Sequence, residues 1–291
     1  MRRSQISWLS ILAPLVLVIA CGGGASEDDE WAERMAQEHA GDTSAAGPGA
    51  EVEPAGEVST GDVVYGTLDG VELPGYLAAP VAGGQGAPGV VLIHEWWGLN
   101  DNIRAMARRL AGEGYVVLAA DMYGGATADQ PDRARELMQA ANEDAASARD
   151  NLRLAVEHLR DEQGASRVGV MGWCFGGGWA LRAATFLGDG IDAAVIYYGS
   201  TITDRDRLEK ITAPLLGHFG ERDSGIPVET VREMEDMLEQ LGVDATFHYY
   251  DAGHAFANPS GQNWEPDAAE TAWRRTLEFL AEELKGAHPE S

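Results

Sequence analysis

A cysteine in a glycine-rich turn is the residue of this chain best placed to act as a nucleophile. Cys174 is the centre of the sequence Gly-Trp-Cys-Phe-Gly, which follows an apolar run at 167–171 and precedes a segment of small residues. A strand, a tight turn and a helix in this order are typical of a nucleophile elbow, where a serine is usual. A thiol at a helix N-terminus has a lowered pKa, because the helix dipole favours the thiolate. The alternative interpretation is a small buried cysteine in a glycine-rich turn.

An acid and a histidine follow this cysteine in the chain order that elbow enzymes use. Asp223 lies in a loop after the predicted strand 214–219, and His254 lies in a loop after the predicted strand 245–250. Both residues follow the carboxyl ends of predicted parallel strands, the edge where open α/β sheets keep their sites. We expect His254 to take the thiol proton and Asp223 to orient the imidazole. Taken singly, Asp223 could be a helix cap and His254 a structural loop histidine, but the ordered set favours catalysis.

The segment after an earlier apolar strand supplies further candidates. Glu95 and Trp96 directly follow the predicted strand 89–94. In an elbow enzyme, one oxyanion-hole N–H comes from the loop after this strand and the other from the residue after the nucleophile. This predicts the backbones of Trp96 and Phe175 as the two donors. Glu95 is an unusual carboxylate between an apolar strand and two tryptophans, although capping of the next helix is an alternative role.

Four motifs together resemble the dienelactone hydrolase family of α/β-hydrolases. They lie at 94–100, 172–177, 220–223 and 252–256, in the family's order, and the resemblance extends from about residue 63 to about residue 284. It implies cleavage of carboxylic esters or lactones through an acyl-enzyme, without a cofactor, and a triad of Cys174, His254 and Asp223. The resemblance also implies that Glu95 engages the thiol in the resting enzyme and releases it when substrate enters.

The chain departs from the family pattern at two substrate-binding positions. Members that act in chlorocatechol pathways bind the substrate carboxylate with two arginines. One of these belongs near Gly125, after Asp-Met-Tyr at 121–123, and the other belongs at the position of Asn258. The loss of both bidentate partners disfavours a dienelactone acid as substrate. Cleavage of other esters, lactones or thioesters remains compatible with the resemblance.

The N-terminus has the features of a bacterial lipoprotein signal peptide. Two arginines at positions 2 and 3 precede an apolar stretch from Ile6 to Ala20, which is too short for a comfortable membrane span. The sequence Val18–Cys21 resembles a lipobox, so we expect cleavage before Cys21 and lipidation of its thiol. The protein would then be exported and anchored to a bacterial membrane on its periplasmic or cell-surface side. Plain secretion with an incidental cysteine is the alternative.

Composition divides the chain into three parts. We interpret residues 1–20 as the signal peptide, 21–61 as a flexible acidic tether rich in glycine, alanine and glutamate, and 62–287 as one hydrolase domain. After residue 88, continuously apolar strands alternate with helices. This predicts an α/β-hydrolase fold, a mostly parallel sheet of about eight strands with helices on both faces. An antiparallel hairpin that turns at Asp69 and Gly70 is expected before it.

Charge and residue spacing restrict the partners. The chain has 21 Lys and Arg against 47 Asp and Glu, for a net charge of −26, so nucleic-acid binding is not expected. No spacing of cysteines and histidines along the sequence indicates a metal site. We therefore expect a monomer that acts on a small ester or lactone. A non-enzymatic surface lipoprotein that uses the fold for binding is the alternative function.

Overall fold

The structure is a computed structural model that describes residues 34–35, 37–39, 41–42, 45–47, 49–50, 52–84 and 86–286. The predicted signal peptide and the lipidation candidate Cys21 lie outside the described residues. No helix in the described ranges combines the length and the apolar character needed to cross a bilayer.

In the described ranges, eight strands form a single sheet in the order β1-β2-β4-β3-β5-β6-β7-β8. Their bounds are β1 Val58–Leu68, β2 Val71–Pro80, β3 Gly89–Ile93, β4 Val116–Ala120, β5 Val168–Trp173, β6 Ala193–Tyr197, β7 Leu215–Gly220 and β8 Ala245–Tyr250. β2 pairs antiparallel with β1 and with β4, and every pairing from β4 through β8 is parallel. The predicted α/β-hydrolase fold is therefore confirmed.

Helices connect these strands and cover the sheet. In the described part of the chain they are α1 Asp101–Gly112, α2 Pro131–Glu143, α3 Ala145–Asp161, α4 Phe175–Leu187, α5 Arg205–Leu208, α6 Val228–Leu241 and α7 Pro266–Lys285. Every residue of β3, β4, β5 and β6 is buried, as expected of parallel strands that are covered on both faces. Their continuous apolar runs follow directly from this burial.

The β1–β2 hairpin turns where its sequence indicates. Asp69 and Gly70 have φ angles of 51° and 81°, and Leu68 pairs with Val71 across the turn. Positive φ at both central residues is the conformation of the two-residue turns that match strand twist, which is why Asp-Gly is favoured there. The hairpin adds two antiparallel strands to the parallel part of the sheet.

Several described residues before β1 pack onto the domain, which the interpretation of residues 21–61 as a flexible tether did not predict. Met35, His39 and Ala50 are buried, and β1 begins at Val58, four residues before the expected domain boundary at 62. Below, "the strap" denotes the described residues between Arg34 and Ala50.

Candidate active site

The elbow at Cys174 has the backbone conformation that its glycines allow. Cys174 lies between the end of β5 and the start of α4, with φ 53° and ψ −115°, and its N–H donates to the carbonyl of Tyr197 at 3.0 Å. Such a conformation costs a non-glycine residue about 1–3 kcal/mol and persists only where the surroundings impose it. A Cβ on Gly176 would lie 2.2 Å from the carbonyl oxygen of Ile93. The absence of a side chain there lets α4 pack close to β3 and hold the thiol at the sheet edge.

The structure brings Asp223 and His254 together at the same edge. His254 Nδ1 lies 2.7 Å from Asp223 Oδ2. The other carboxylate oxygen, Oδ1, accepts from the N–H groups of Gly225 at 2.9 Å and Ile226 at 2.7 Å. With both oxygens engaged, Asp223 holds the imidazole in one orientation. This leaves Nε2 as the ring nitrogen available for chemistry. Within the described residues, this buried atom has no hydrogen-bond partner of suitable distance and angle.

Cys174 faces His254 across a buried space. Its Sγ and one ring nitrogen of His254 lie within 4.8 Å of each other, and Cys174 is 1% exposed. Burial raises the pKa of the thiol, but the charges of His254 and His39 outweigh burial and lower it to about 6. Burial lowers the pKa of His254, yet Asp223 and Cys174 raise it well above its ordinary value. These shifts favour a thiolate and an imidazolium at neutral pH.

Glu95 lies within the same buried cluster but binds other partners than the thiol. Its Oε2 accepts from Asn258 Nδ2 at 2.7 Å, and its Oε1 accepts from the Tyr198 hydroxyl at 3.4 Å. Burial raises the pKa of Glu95 to about 8, against a smaller lowering by His39. The resemblance implies a contact from Glu95 to the resting thiol, whereas in this structure the hydrogen-bond partner of Cys174 from outside the predicted triad is His39.

The two predicted oxyanion donors lie at suitable chain positions. Phe175 is the first residue of α4, where an N–H has no acceptor within its own helix. Trp96 follows Glu95, whose carbonyl lies 2.5 Å from His94 Nδ1, while His94 Nε2 accepts from the N–H of Met122 at 3.1 Å. His94 is thus a neutral imidazole that braces the loop, and burial lowers its pKa accordingly.

The strap covers this cluster. Met35 packs so closely on Gly225 that a Cβ there would lie 1.7 Å from Met35 Cε. Glu38 accepts from the N–H of Ser224 at 3.2 Å and from the side-chain amide of Asn263 at 3.3 Å. The strap is therefore attached to the loops that carry Asp223 and His254.

A second set of contacts continues along the strap. The N–H of Gln262 donates to Asp42 Oδ1 at 2.9 Å, and the N–H of Gly47 donates to Ser260 Oγ at 2.6 Å. Both partners lie in the loop between β8 and α7. Attachment at several points explains how a segment with few apolar residues can remain ordered on the domain.

His39 is the site residue that the sequence-based reasoning missed. Its Nε2 lies 3.6 Å from Cys174 Sγ, and its Nδ1 lies 2.6 Å from Asp42 Oδ2. The ring contacts Trp96 at 4.7 Å and His254 at 5.1 Å between centroids. Burial lowers the pKa of His39, but hydrogen bonds to Asp42 and Cys174 raise it to about 9. The signal available in the sequence was the spacing of this histidine, which lies four residues after Met35 and three residues before Asp42.

Tyr123 links the site to a nearby cavity. Its ring lies 5.4 Å from Phe175 and 4.5 Å from His94, and its buried hydroxyl has no partner within the described residues. The cavity has a volume of about 290 Å³ and mostly apolar walls, which include Leu73 and Leu137 as well as Tyr123. It is large enough for a small acyl or alcohol group.

The two positions without the expected arginines have other roles. Asn258 is buried and, besides its bond to Glu95, accepts from Asn102 Nδ2 at 3.2 Å. Gly125 is exposed, and its N–H donates to Asp121 Oδ2 at 2.8 Å. Neither position offers a cation to a substrate carboxylate. The tryptophans at 96, 97, 173 and 179 are buried.

This arrangement can be compared with known proteins. The profile of the dienelactone hydrolase family matches residues 73–284. The chain belongs to the dienelactone hydrolase family. It is a hydrolase, and the matched region contains Glu95 and the three predicted triad residues.

Individual relatives of this dienelactone hydrolase family member cover the same region. Protein usf of Aquifex pyrophilus is 34% identical over 232 residues, which are 77% of this chain and 99% of that protein. A protein of Aquifex aeolicus that is provisionally named carboxymethylenebutenolidase is 30% identical, over 77% of this chain and all of the relative. The crystal structure of a dienelactone hydrolase-like promiscuous phosphotriesterase from metagenomic libraries superposes with a TM-score of 0.72 at 27% identity, over 78% of this chain and 99% of that one.

Proposed function

We propose that this chain hydrolyses carboxylic esters or lactones through a covalent acyl-enzyme, with Cys174 as nucleophile, His254 as acid and base, and Asp223 as the residue that orients His254. The observation that carries the proposal is the line of contacts from Asp223 through Nδ1 of His254 to a thiol on a strained elbow. The thiolate, rather than the thiol, is the reactive nucleophile, and this environment favours it.

The reaction proceeds in two halves. The Cys174 thiolate attacks the ester carbonyl carbon, and the resulting oxyanion accepts hydrogen bonds from the N–H groups of Trp96 and Phe175. The C–O bond then breaks, and the imidazolium of His254 gives its proton to the leaving alkoxide. In the second half, His254 removes a proton from water, which attacks the thioester carbon and displaces the thiolate.

The substrate is best described as a neutral ester or lactone. Gly125 and Asn258 stand where a pair of arginines would bind a carboxylate, and Asn258 already donates to Glu95. Each missing charged hydrogen bond weakens binding by about 1.5–3 kcal/mol. The apolar cavity beside Tyr123 supports the same preference.

The location of this activity is also part of the proposal. We infer that Cys21 is the lipidated first residue of an exported protein that acts as a monomer at a bacterial membrane. The lipobox sequence and the short apolar stretch before it support this assignment.

The experiment that tests the reaction is a turnover screen with a trapping step. Purified protein should release p-nitrophenol from neutral p-nitrophenyl esters, and mass spectrometry of a rapidly quenched sample should find the acyl group on Cys174. Neutral esters should give a kcat/KM at least about a hundredfold above that of a dienelactone carboxylate. Absence of turnover on all esters, lactones and thioesters, with no acylated Cys174, would favour the binding-protein alternative.

A further inference from the structure

Three side chains with metal-binding atoms, one of them the proposed nucleophile Cys174, lie close together in the buried site. His39 from the strap, Cys174 from the elbow and His254 from the loop after β8 place one donor atom each within 4.8 Å of the others. His39 and Cys174 are 135 residues apart, so no spacing along the sequence indicates the cluster. All three residues are buried.

The donor geometry fits a tetrahedral ion. Zn²⁺ binds thiolate sulfur at about 2.3 Å and imidazole nitrogen at about 2.0–2.1 Å, so a sulfur and a nitrogen on one tetrahedral zinc lie about 3.5 Å apart. The observed distance between Cys174 Sγ and His39 Nε2 is 3.6 Å. The third ligand atom is Nε2 of His254. It is buried and has no hydrogen-bond partner of suitable distance and angle in the described part of the chain, so no other contact has to be broken for it to bind the ion.

The surroundings of the two histidines also match those of metal ligands. His39 Nδ1 contacts Asp42 at 2.6 Å and His254 Nδ1 contacts Asp223 at 2.7 Å, so both rings present Nε2 to the same point. A carboxylate on the second nitrogen is the usual partner of a zinc-bound histidine, since it fixes the ring and strengthens its donor. Binding of a divalent cation displaces the Nε2 protons that His39 and His254 carry in the resting site. With both imidazoles neutral, the thiolate and the two carboxylates then leave three buried negative charges for the cation to offset.

We propose that His39, Cys174 and His254 form a binding site for a borderline-soft divalent cation, with Zn²⁺ as the physiological candidate. The ion takes the thiolate and the two Nε2 atoms, and one coordination position stays open, as in zinc sites with three protein ligands. One ligand, His39, belongs to the strap. The ion therefore enters while the strap is displaced from the site, and the bound ion then holds the strap in its closed position. The bound ion occupies the sulfur lone pair that attacks substrate, so it switches the hydrolase off reversibly.

The test uses the full chain after treatment with a chelator. Equilibrium dialysis against Zn²⁺, with metal content read by atomic absorption, should give one tightly bound ion per chain. Asp42→Asn should weaken binding about 10–100-fold, as loss of a supporting carboxylate does in other zinc sites, and His39→Ala should weaken it further. Glu38→Gln is the matched control, because Glu38 holds the same strap to Ser224 and Asn263 but supplies no donor to the cluster.

A spectroscopic arm separates this site from the many surface carboxylates. Co²⁺ bound at the cluster should show a near-ultraviolet thiolate-to-cobalt charge-transfer band, which carboxylate sites cannot produce, and Cys174→Ser should abolish it. Stoichiometric binding with this band, lost in His39→Ala and retained in Glu38→Gln, supports the proposal. No binding, or binding that is equal in all variants and lacks the band, overturns it. Neither result depends on ester turnover, which is measured separately on the chelator-treated protein.

Discussion

Asn258 donates a hydrogen bond to Glu95 at 2.7 Å, from a position where related enzymes of chlorocatechol pathways are expected to have an arginine. A guanidinium would keep this buried carboxylate ionised, whereas a neutral amide cannot offset the loss of hydration. With no guanidinium at this position, burial raises the pKa of Glu95 to about 8. The protonated form of Glu95 is consequently favoured at pH 7.

Replacement of Glu95 by glutamine should remove a pH dependence in the alkaline range. Wild-type Glu95 gains a negative charge near the Cys174 thiolate as pH rises through about 8, so kcat/KM should fall there, and the Glu95→Gln profile should stay flat. The free energy of unfolding of the wild type should also fall as pH rises. A folded pKa above the unfolded value of 4.5 means that wild type loses stability between these values as pH rises. Melting temperatures from pH 5 to 9 should diverge in favour of the variant, and parallel curves would contradict the prediction.

The Cys174 thiol should titrate near pH 6. The ultraviolet absorbance of its thiolate, measured against Cys174→Ala, should rise with a midpoint at about that value. His254→Gln should shift the midpoint upward by at least one unit, because His254 makes the largest favourable contribution to the thiolate after the opposing effect of burial. A midpoint near 9 in the wild type would refute the imidazolium–thiolate pair.

Loss of the nucleophile or of its base should each abolish turnover. Cys174→Ala and His254→Ala should each lower kcat/KM at least about 1,000-fold. The nucleophile and its base act as one unit, so removal of either one alone should cost nearly as much as removal of both. Asp223→Asn should do less harm, because a thiolate and an imidazolium orient each other by attraction. His158→Ala serves as a control: this half-buried histidine lies in α3 and contacts Gln163. Equal melting temperatures with retained activity in Cys174→Ala would end the elbow hypothesis.

Removal of the strap should expose the thiol. A chain that starts at residue 51 keeps all eight strands that the structure describes, because β1 begins at Val58, and it should therefore stay folded. Without the buried His39 and Met35, iodoacetamide should label Cys174 at least about tenfold faster, a gain that corresponds to about 1.4 kcal/mol of closing free energy. Met35→Ala in the full chain should give a smaller increase in the same direction. Unchanged labelling in both proteins would mean that the strap does not limit access.

The proposed anchor makes a separate prediction. Cys21→Ala should block lipidation, so the protein should remain unprocessed or, if it is exported, leave the membrane fraction after a carbonate wash. Fractionation followed by immunoblotting, with the wild type as reference, measures this. Retention of the variant in the washed membrane would argue for another means of attachment.

Local sequence was sufficient to predict the fold and the order of the triad candidates. The strands of the parallel sheet are continuous apolar runs, and their ends could be placed within one or two residues, because burial on both faces demands apolar side chains at every position. The loops with Asp223 and His254 follow directly from strand ends. Their meeting at 2.7 Å is a consequence of the parallel pairing of β7 with β8.

The contacts of the strap could not be predicted in the same way. Residues 21–61 have little apolar content, and composition alone indicates a tether. The strap is held instead by a few polar contacts, such as Asp42 with the backbone of Gln262, and by one buried methionine. Such contacts depend on the shape of the folded domain, so the local spacing of Met35, His39 and Asp42 could not by itself place them. The partners of Glu95 were missed for the same reason, since Asn258 lies 163 residues away.

With the proposed lipid anchor at Cys21, the strap would also set how far the catalytic cluster can lie from a membrane surface. An extended chain spans at most about 3.3–3.6 Å per residue. With an anchor at Cys21 and the domain attached only from Val58 onward, 37 residues would permit a height of roughly 120–130 Å. If the strap is docked from Arg34 onward, only 13 residues separate it from Cys21, and they span at most roughly 45 Å. The segment between the anchor and the strap would then end near the thiol. A closed strap would therefore hold the catalytic cluster within about this distance of the bilayer, where apolar esters are concentrated.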